Sequence, residues 1–166
     1  MIREFLASET TRSLVIITNT NEKLQNELEN RLHYRADPRI RFVGSVYDQE
    51  LLSAIRRNAF AYLHGHEVGG TNPSLLEALG ATDLSLLLDV PFNREVAGEA
   101  ALYWTKDAHS LAELVDAAEK LSPGTLANYG LRAKDRVRSR YSWQFIADQY
   151  SRLFLSRNKP SNEESL

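Results

Sequence analysis

The sequence predicts an α/β fold, a doubly wound parallel sheet with helices on both faces. Short β-branched or apolar runs alternate with segments of helical periodicity along the chain. The run LSLLLDV (84–90) has the nearly continuous apolar character of a parallel strand that is buried on both faces. With 166 residues, of which 43% are hydrophobic and 25% charged, the chain has the size and composition of one globular domain.

Five segments are predicted to be strands. The first, SLVIITN, is β-branched, and the second, IRFVGSV, follows the break at Asp37-Pro38. AFAYLHG, LSLLLDV and ALYW follow in that order. Their expected ranges are 13–19, 40–46, 59–65, 84–90 and 101–104.

The segments between these strands are predicted helices. Leucines recur at four-residue intervals in 21–35, which places them on one helical face. Asp48 is a good N-cap for a helix over 48–58, and Pro73 suits the first position of a helix over 73–80. A helical turn is expected at 93–98 and a helix at 110–121. Two consecutive helices are expected after Pro123, the second one capped by Ser142.

The two ends of the sequence carry separate expectations. IREFLAS (2–8) is typical of the last turns of a helix, whereas a doubly wound sheet normally begins with a strand. We therefore expect a fold entered one strand late and a sequence that is a fragment of something longer. Residues 1–157 are predicted to form one domain, and NKPSNEESL (158–166) a polar disordered tail.

Composition excludes several classes of function. The net charge of −2 gives no global field toward nucleic acid or anionic lipid, and a chain without cysteine has no disulfide, thiolate nucleophile or cysteine-based zinc site. The basic segment RAKDRVRSR (132–140) lacks the interleaved aromatic residues of a nucleic-acid platform. It is expected to be a solvated helix face that could touch anionic lipid in the full protein. No signal peptide or run of about 18 apolar residues is present, so a cytoplasmic location is expected.

The loop HGHEVGGTNPSLLE (64–77) follows the third predicted strand and enters a helix. Ligands of doubly wound sheets bind at this carboxyl end of the strands. Gly69 and Gly70 allow positive φ angles or close approach to a ligand, and Thr71 or Asn72 can cap the helix that Pro73 begins. The first-turn amides would then present the positive end of the helix dipole, for which a diphosphate is a natural ligand.

The same loop has a plainer interpretation. A glycine-rich loop before a helix is often only loop chemistry, and the glycine spacing here matches neither a phosphate-binding P-loop nor the dinucleotide fingerprint. Glu77 lies about one turn into the helix, where its carboxylate could accept hydrogen bonds from sugar hydroxyls. Anion binding and ordinary loop structure both remain open on these residues alone.

The tract GSVYDQELLSAIRRNAFAYLHGHEVGGTNPSLLEALGA, followed by LLLDVPFNREVAGEAALYW, resembles the C-terminal half of family 4 glycosyltransferases of the GT-B fold. The likeness is strongest to the rhamnosyltransferase-like branch of cell-surface polysaccharide synthesis. It extends from Ile2 to about Phe154, and its specific parts are 69–77 and PFNREV. It implies a Rossmann-like domain without its first strand. It also implies a nucleotide-sugar donor, an acceptor-binding domain on the N-terminal side, a retaining transfer of a hexose or deoxyhexose, and no cofactor.

Most of this family carries a glutamate, seven residues, and a second glutamate, which contact the donor sugar and the ribose respectively. The second maps onto Glu77, whereas the first maps onto Gly69, which has no side chain. Glu67 lies two residues before the position of the first glutamate, so it could take that role only if the loop rearranges. The resemblance implies that the backbone amides of 70–72 bind the diphosphate or the donor sugar, and that His66 contacts the same part of the donor.

The resemblance adds residues around this loop. Ser74 belongs to the expected substrate-binding set, at the start of the same helix. Tyr47 follows the second predicted strand, where the family binds the nucleobase; it could stack on a pyrimidine while the backbone of Val46 reads the base edge. The alternative for Tyr47 is a half-buried ring packed on the next helix.

Other clusters have competing interpretations. His64, His66 and Glu67 superficially suggest a metal site, but no further His or Asp arrives in register. Arg94 and Glu95 could line the cleft with Asn93, although an exposed ion pair between them is the favoured interpretation. Three aromatic residues of the last helix are expected to pack on its neighbours: Trp143, Phe145 and Tyr150.

Three functions follow from the sequence, the first of which is the donor-binding domain of a glycosyltransferase. In this family the loop after the first strand supplies the cations that neutralise the diphosphate. The given sequence is expected to start after that loop, so transfer by the isolated chain should be slow or undetectable. The second is a non-catalytic nucleotide-sugar-binding module or truncated fragment. The third is a sugar-nucleotide epimerase, which shares the architecture but needs acid and base residues in both domains. Peripheral membrane association of the full enzyme is a further expectation.

Overall fold

A computed structural model of the protein describes residues 1–157. Within them the five predicted strands and the predicted helices are all present, and each of the five strands is shorter than expected. The predicted tail at 158–166 lies outside the described residues. The strands are β1 (Leu14–Ile17), β2 (Ile40–Gly44), β3 (Tyr62–His64), β4 (Ser85–Leu88) and β5 (Leu102–Trp104). The helices are α1 (Ile2–Ala7), α2 (Glu22–Leu32), α3 (Gln49–Asn58), α4 (Pro73–Ala81), α5 (Pro91–Ala97), α6 (Ser110–Ala118), α7 (Pro123–Arg140) and α8 (Trp143–Arg157).

Every strand pairing is parallel, as predicted, but the sheet is divided in two. β1 pairs with β2, and β3, β4 and β5 form a separate three-stranded sheet in that order. Outside the strands, the Arg12 guanidinium before β1 lies 3.7 Å above the Phe60 ring before β3. No strand of the described residues lies between β1 and β3. This division agrees with a doubly wound fold that lacks its first strand.

The core is built around β4, whose four residues are all buried. On one face Leu87 packs with residues of α4, α5 and α7. On the other face Leu86 and Leu88 pack with α6. The apolar run of β4 is therefore covered on both sides, which is the arrangement that its sequence predicts.

A smaller core covers one face of β1 and β2, with Phe5, Tyr34 and Ile40 at its centre. Arg39 ties this core together. Its guanidinium donates to the carbonyls of Ser8 and Thr10 after α1 and forms an ion pair with Asp37 at 2.7 Å. Hydrogen bonding to Arg39 lowers the pKa of Asp37, so the carboxylate stays charged and holds the guanidinium in place.

Several helix boundaries differ from the expected ones. α2 ends at Leu32 because His33 adopts a left-handed conformation with φ of 49°, which a continuing helix does not allow. α5 begins at Pro91, two residues before the expected Asn93, because proline is compatible with the first helical turn.

The expected packing of α8 is wrong for two of its three aromatic residues. Trp143 is 89% exposed, and Tyr150 is exposed and stacks on Phe154 of the same helix. Phe145 alone is half-buried. The main contact of α8 is with α7, so most of its surface meets no other part of residues 1–157. Over these residues no helix has both the length and the apolar character needed to cross a bilayer.

Candidate functional site

The carboxyl ends of the strands carry the loops of the candidate site. Because β3, β4 and β5 are parallel, the loops that follow them emerge at one edge of their sheet. The glycine loop, which we define as residues 65–72, joins β3 to α4 and lies at this edge as the sequence predicts. The loop after β2 contains Val46 and Tyr47.

The backbone of the glycine loop adopts a conformation that depends on glycine. Gly69 has φ of 142°, a value that residues with a Cβ rarely adopt. An added Cβ at Gly69 or Gly70 would meet no atom within 4 Å. Residues 66–71 are exposed, so open space surrounds both glycines. The loop can therefore admit a ligand close to its main chain.

Asn72, rather than Thr71, caps α4. Its side-chain oxygen accepts hydrogen bonds from the backbone N–H groups of Ser74 at 2.9 Å and Leu75 at 3.3 Å. Pro73, the first residue of α4, has no N–H. The first-turn amides that the sequence assigned to an anion are thus already bonded to the cap, which corrects that expectation.

Backbone N–H groups without a hydrogen-bond partner lie just before α4, in the glycine loop. Over the described residues, the backbone N–H groups of Gly69, Gly70, Thr71 and Asn72 make no hydrogen bond. They stand next to the N-terminus of α4, where the helix dipole favours negative charge. Backbone N–H groups without a partner beside a helix N-terminus are available as hydrogen-bond donors to an anion.

Glu77 forms an ion pair across the helices. Its Oε2 accepts a hydrogen bond from Nη1 of Arg56 in α3 at 2.6 Å, and the side chain of Glu77 is 49% exposed. The side chain of Arg56 is only 12% exposed, so the guanidinium is a fixed anchor. Oε1 of Glu77 makes no hydrogen bond in residues 1–157 and can still accept one.

Two histidines stack at the end of β3. The rings of His64 and His66 lie 4.7 Å apart; His64 is buried, whereas His66 is exposed. Burial, with a smaller contribution from His66, lowers the pKa of His64 to about 4, so His64 is neutral at pH 7. Its Nδ1 lies 3.3 Å from the Tyr62 hydroxyl. His66 is therefore the member of the pair that a ligand can reach.

Asn93 connects two of the loops. It is fully buried, and its Nδ2 donates to the carbonyls of Leu88 at 2.9 Å and His66 at 3.3 Å. These bonds tie the end of β4 to the glycine loop. Asn93 does not line an open cleft, so its expected place there is corrected.

The favoured ion pair between Arg94 and Glu95 is wrong. Arg94 instead makes a two-bond ion pair with Asp89, at 2.5 and 2.6 Å, and its guanidinium lies 4.2 Å from the centre of the Tyr103 ring. Neighbouring residues of a helix project in different directions and cannot readily pair. Hydrogen bonding to Arg94 lowers the pKa of Asp89.

Lys106 is a cation of the site that the sequence interpretation missed. It follows β5, and its Nζ forms a 2.6 Å ion pair with Glu67 of the glycine loop. Both side chains are more than half exposed. The position of Lys106 directly after a parallel strand is the signal that could have identified it, because the residues that follow parallel strands all lie at the carboxyl end of the sheet.

The remaining predicted residues are accessible to different degrees. Tyr47 is 82% exposed, so the alternative of a half-buried ring packed on α3 is wrong. Val46 is half-buried, and Ser74 is exposed at the start of α4. Across residues 1–157 no three His, Cys, Asp or Glu side chains come together in a way that could hold a metal ion.

No protein-family model and no curated protein matches the sequence. The fold does match solved structures. HepE of Anabaena in complex with UDP matches with a TM-score of 0.72 and 14% identity, over 93% of this chain and 44% of that chain. A glycosyltransferase from Rickettsia africae matches with a TM-score of 0.72 and 13% identity, over 96% of this chain and 44% of that chain.

A third structure is an α,α-trehalose-phosphate synthase (UDP-forming) from Burkholderia xenovorans in complex with glucose-6-phosphate. It matches with a TM-score of 0.73 and 20% identity, over 91% of this chain and 38% of that chain. The chain thus spans less than half the length of each of these three structures. At such identities the likeness concerns the fold, and the chain has the Rossmann-like α/β fold of GT-B glycosyltransferase structures, as the sequence predicts.

Proposed function

We propose that this chain is the donor-binding domain of a glycosyltransferase and that it holds a nucleoside diphosphate sugar at the carboxyl edge of its sheet. The observation that carries the proposal is the run of unpaired backbone N–H groups from Gly69 to Asn72 beside the N-terminus of α4. The HepE structure of the same fold contains UDP, which supports a nucleotide ligand of this kind.

The diphosphate would lie over the glycine loop. Its oxygens would accept hydrogen bonds from the four free amides, and Lys106, which pairs with Glu67 of the glycine loop, would supply a positive charge. The ion pair of Lys106 with Glu67 is exposed, and such a pair contributes only about 0–1 kcal/mol. A phosphate can therefore replace Glu67 as the partner of the Lys106 ammonium group with little loss of free energy.

The two ends of the donor would contact different residues. Oε1 of Glu77 would accept a hydrogen bond from a ribose hydroxyl, with Arg56 holding the carboxylate through Oε2. The exposed ring of Tyr47 would stack on the base, with the backbone of Val46 at its edge. His66 and Ser74 would contact the phosphates or the sugar.

In this proposal, sugar transfer requires the complete protein. The chain spans less than half of the solved structures it matches, and a second domain would bind the acceptor. We propose that the enzyme moves a hexose or deoxyhexose, with rhamnose as one candidate, onto a cell-surface polysaccharide or glycolipid. It would work in the cytoplasm, peripherally at the inner face of the membrane. The isolated chain would bind the donor without transferring the sugar at an appreciable rate.

Calorimetry on the isolated chain tests the proposal, with UDP, GDP, dTDP and UDP-glucose as ligands. One of them should bind, and Glu77→Ala should weaken that binding by about 1–3 kcal/mol through the loss of a hydrogen bond to a charged acceptor. Glu27→Ala, which removes an exposed glutamate of α2, is the matched control and should bind like the natural chain. Failure of all four ligands would contradict the donor-binding function, whereas an unchanged affinity of Glu77→Ala would contradict only the ribose contact.

A further inference from the structure

His66 attaches the glycine loop to the buried part of the chain. In the part of the chain that the structure describes, the exposed segment 66–71 makes hydrogen bonds, ion pairs and ring contacts to other elements only through His66 and Glu67. The carbonyl of His66 accepts a hydrogen bond from Asn93, and its ring stacks on the buried ring of His64. The ion pair of Glu67 is exposed and contributes little. The two contacts of His66 are therefore the firm ones.

Asn93 holds the main chain of His66 from a fully buried position. Its Nδ2 donates to the His66 carbonyl at 3.3 Å and to the carbonyl of Leu88, the last residue of β4, at 2.9 Å. Because both partners are acceptors, the side chain must supply two N–H donors from one group, as an amide does. A carboxylate of the same shape supplies none, and a reversed amide would place its oxygen against two carbonyls. The position thus depends on asparagine.

Both side chains that hold His66 contain a buried polar atom without a partner. Oδ1 of Asn93 makes no hydrogen bond within residues 1–157, and neither does Nε2 of His64. A buried polar atom in this state lowers the stability of the folded chain. Stability alone therefore does not explain these two side chains, whereas a site that is maintained at the expense of stability does.

The other end of the exposed segment is fixed by α4. Asn72 caps this helix through two hydrogen bonds from first-turn amides. The five residues 67–71 therefore run between two attached residues, His66 and Asn72, with the turn at Gly69 between them. A short segment with both ends held has few conformations to choose from. The position of His66 consequently determines where the free amides of the loop lie.

We infer that Asn93 is a positioning residue of the glycine loop. By holding the His66 carbonyl next to the end of β4, it keeps the loop in the conformation in which its free amides bind an anion. Asn93 acts through His66 and not on the ligand, because its own side chain is fully buried. The effect on anion binding rests on the proposed function, whereas the control of the loop by Asn93 does not.

¹⁵N relaxation of the free chain tests the control of the loop. In the natural chain the amides of His66 and Glu67 should have order parameters of about 0.85, as in a rigid backbone, and in Asn93→Leu they should fall below about 0.6. The amides of β4 should stay rigid in both. Tyr103→Phe is the matched control: it removes the hydrogen bond from the Tyr103 hydroxyl to the Gly98 carbonyl, at the other end of α5, and should leave the loop unchanged. If Asn93→Leu does not fold, Asn93→Ser replaces it, because one hydroxyl cannot donate to both carbonyls.

Calorimetry with UDP, GDP and dTDP tests the effect on binding. A nucleotide that binds the natural chain should bind Asn93→Leu at least about 10-fold more weakly, as expected if the loop keeps its binding conformation a tenth of the time or less. An unchanged affinity would overturn the role in binding. The inference is also wrong if the order parameters of His66 and Glu67 are the same in the natural chain and in Asn93→Leu, or if Tyr103→Phe lowers them equally. If they fall as expected but no nucleotide binds the natural chain, the proposed function fails and the control of the loop stands.

Discussion

Gly69→Ala tests whether the glycine loop depends on a backbone conformation that other residues avoid. At φ of 142° an alanine is strained whatever space surrounds it, and strain of this kind costs about 1–3 kcal/mol. Gly70 is the matched control, because its φ lies outside the positive range and an added Cβ there also meets open space. Gly70→Ala should leave stability unchanged or raise it by about 0.4–1 kcal/mol through the unfolded state.

Urea unfolding measures this difference directly. With a slope of about 2 kcal/mol per molar urea, a loss of about 2 kcal/mol lowers the unfolding midpoint of Gly69→Ala by about 1 M. The midpoint of Gly70→Ala should stay at the natural value or rise slightly. Equal shifts in the two variants would show that the backbone conformation of Gly69 carries no such strain, because steric space alone does not distinguish the two glycines.

Two further predictions concern stability. Because the pKa of His64 is lowered to about 4 in the folded chain, the unfolded chain binds more protons below about pH 6.5. The free energy of unfolding should therefore fall between pH 6.5 and 4, by at most about 1.4 kcal/mol per pH unit from this group. Urea unfolding of His64→Gln should show a flatter dependence on pH. An unchanged pH dependence would contradict the role given to His64. Gly130→Ala should destabilise the chain by about 1–3 kcal/mol, because the new Cβ would lie 3.0 Å from Cα of Asp83. Gly80→Ala meets nothing within 4 Å in α4 and should stabilise by up to about 1 kcal/mol, so equal thermal midpoints of the two variants would contradict this account.

Local patterns predicted the elements of the fold. The apolar run of β4 indicated a strand buried on both faces, and the structure buries all four of its residues. Asp48 and Asn72 cap α3 and α4 as short polar residues before helices generally do. These signals were readable because each one depends only on residues that are close in sequence.

The interactions that shape the candidate site were not readable in this way. Glu77 pairs with Arg56, 21 residues earlier, and Lys106 pairs with Glu67 from a different strand end. Sequence spacing does not specify such partners, because they meet only when α3 packs near α4 and when β5 aligns with β3 in one sheet. The sequence also did not decide which side chain accepts the hydrogen bonds of the first-turn amides of α4, since Thr71 and Asn72 can both cap a helix.

A ¹H–¹⁵N spectrum of the isolated chain, recorded during separate titrations with UDP, GDP and dTDP, shows whether the glycine loop binds a diphosphate. With the nucleotide that binds, we expect the amide signals of Gly69, Gly70 and Thr71 to shift in proportion to bound ligand, because their N–H groups bond to the diphosphate. The exposed amides of α8 should not move and serve as the internal reference. Unchanged signals at these three loop positions, at concentrations of any of the three nucleotides that shift signals elsewhere or at millimolar excess of all three, would contradict diphosphate binding by the loop.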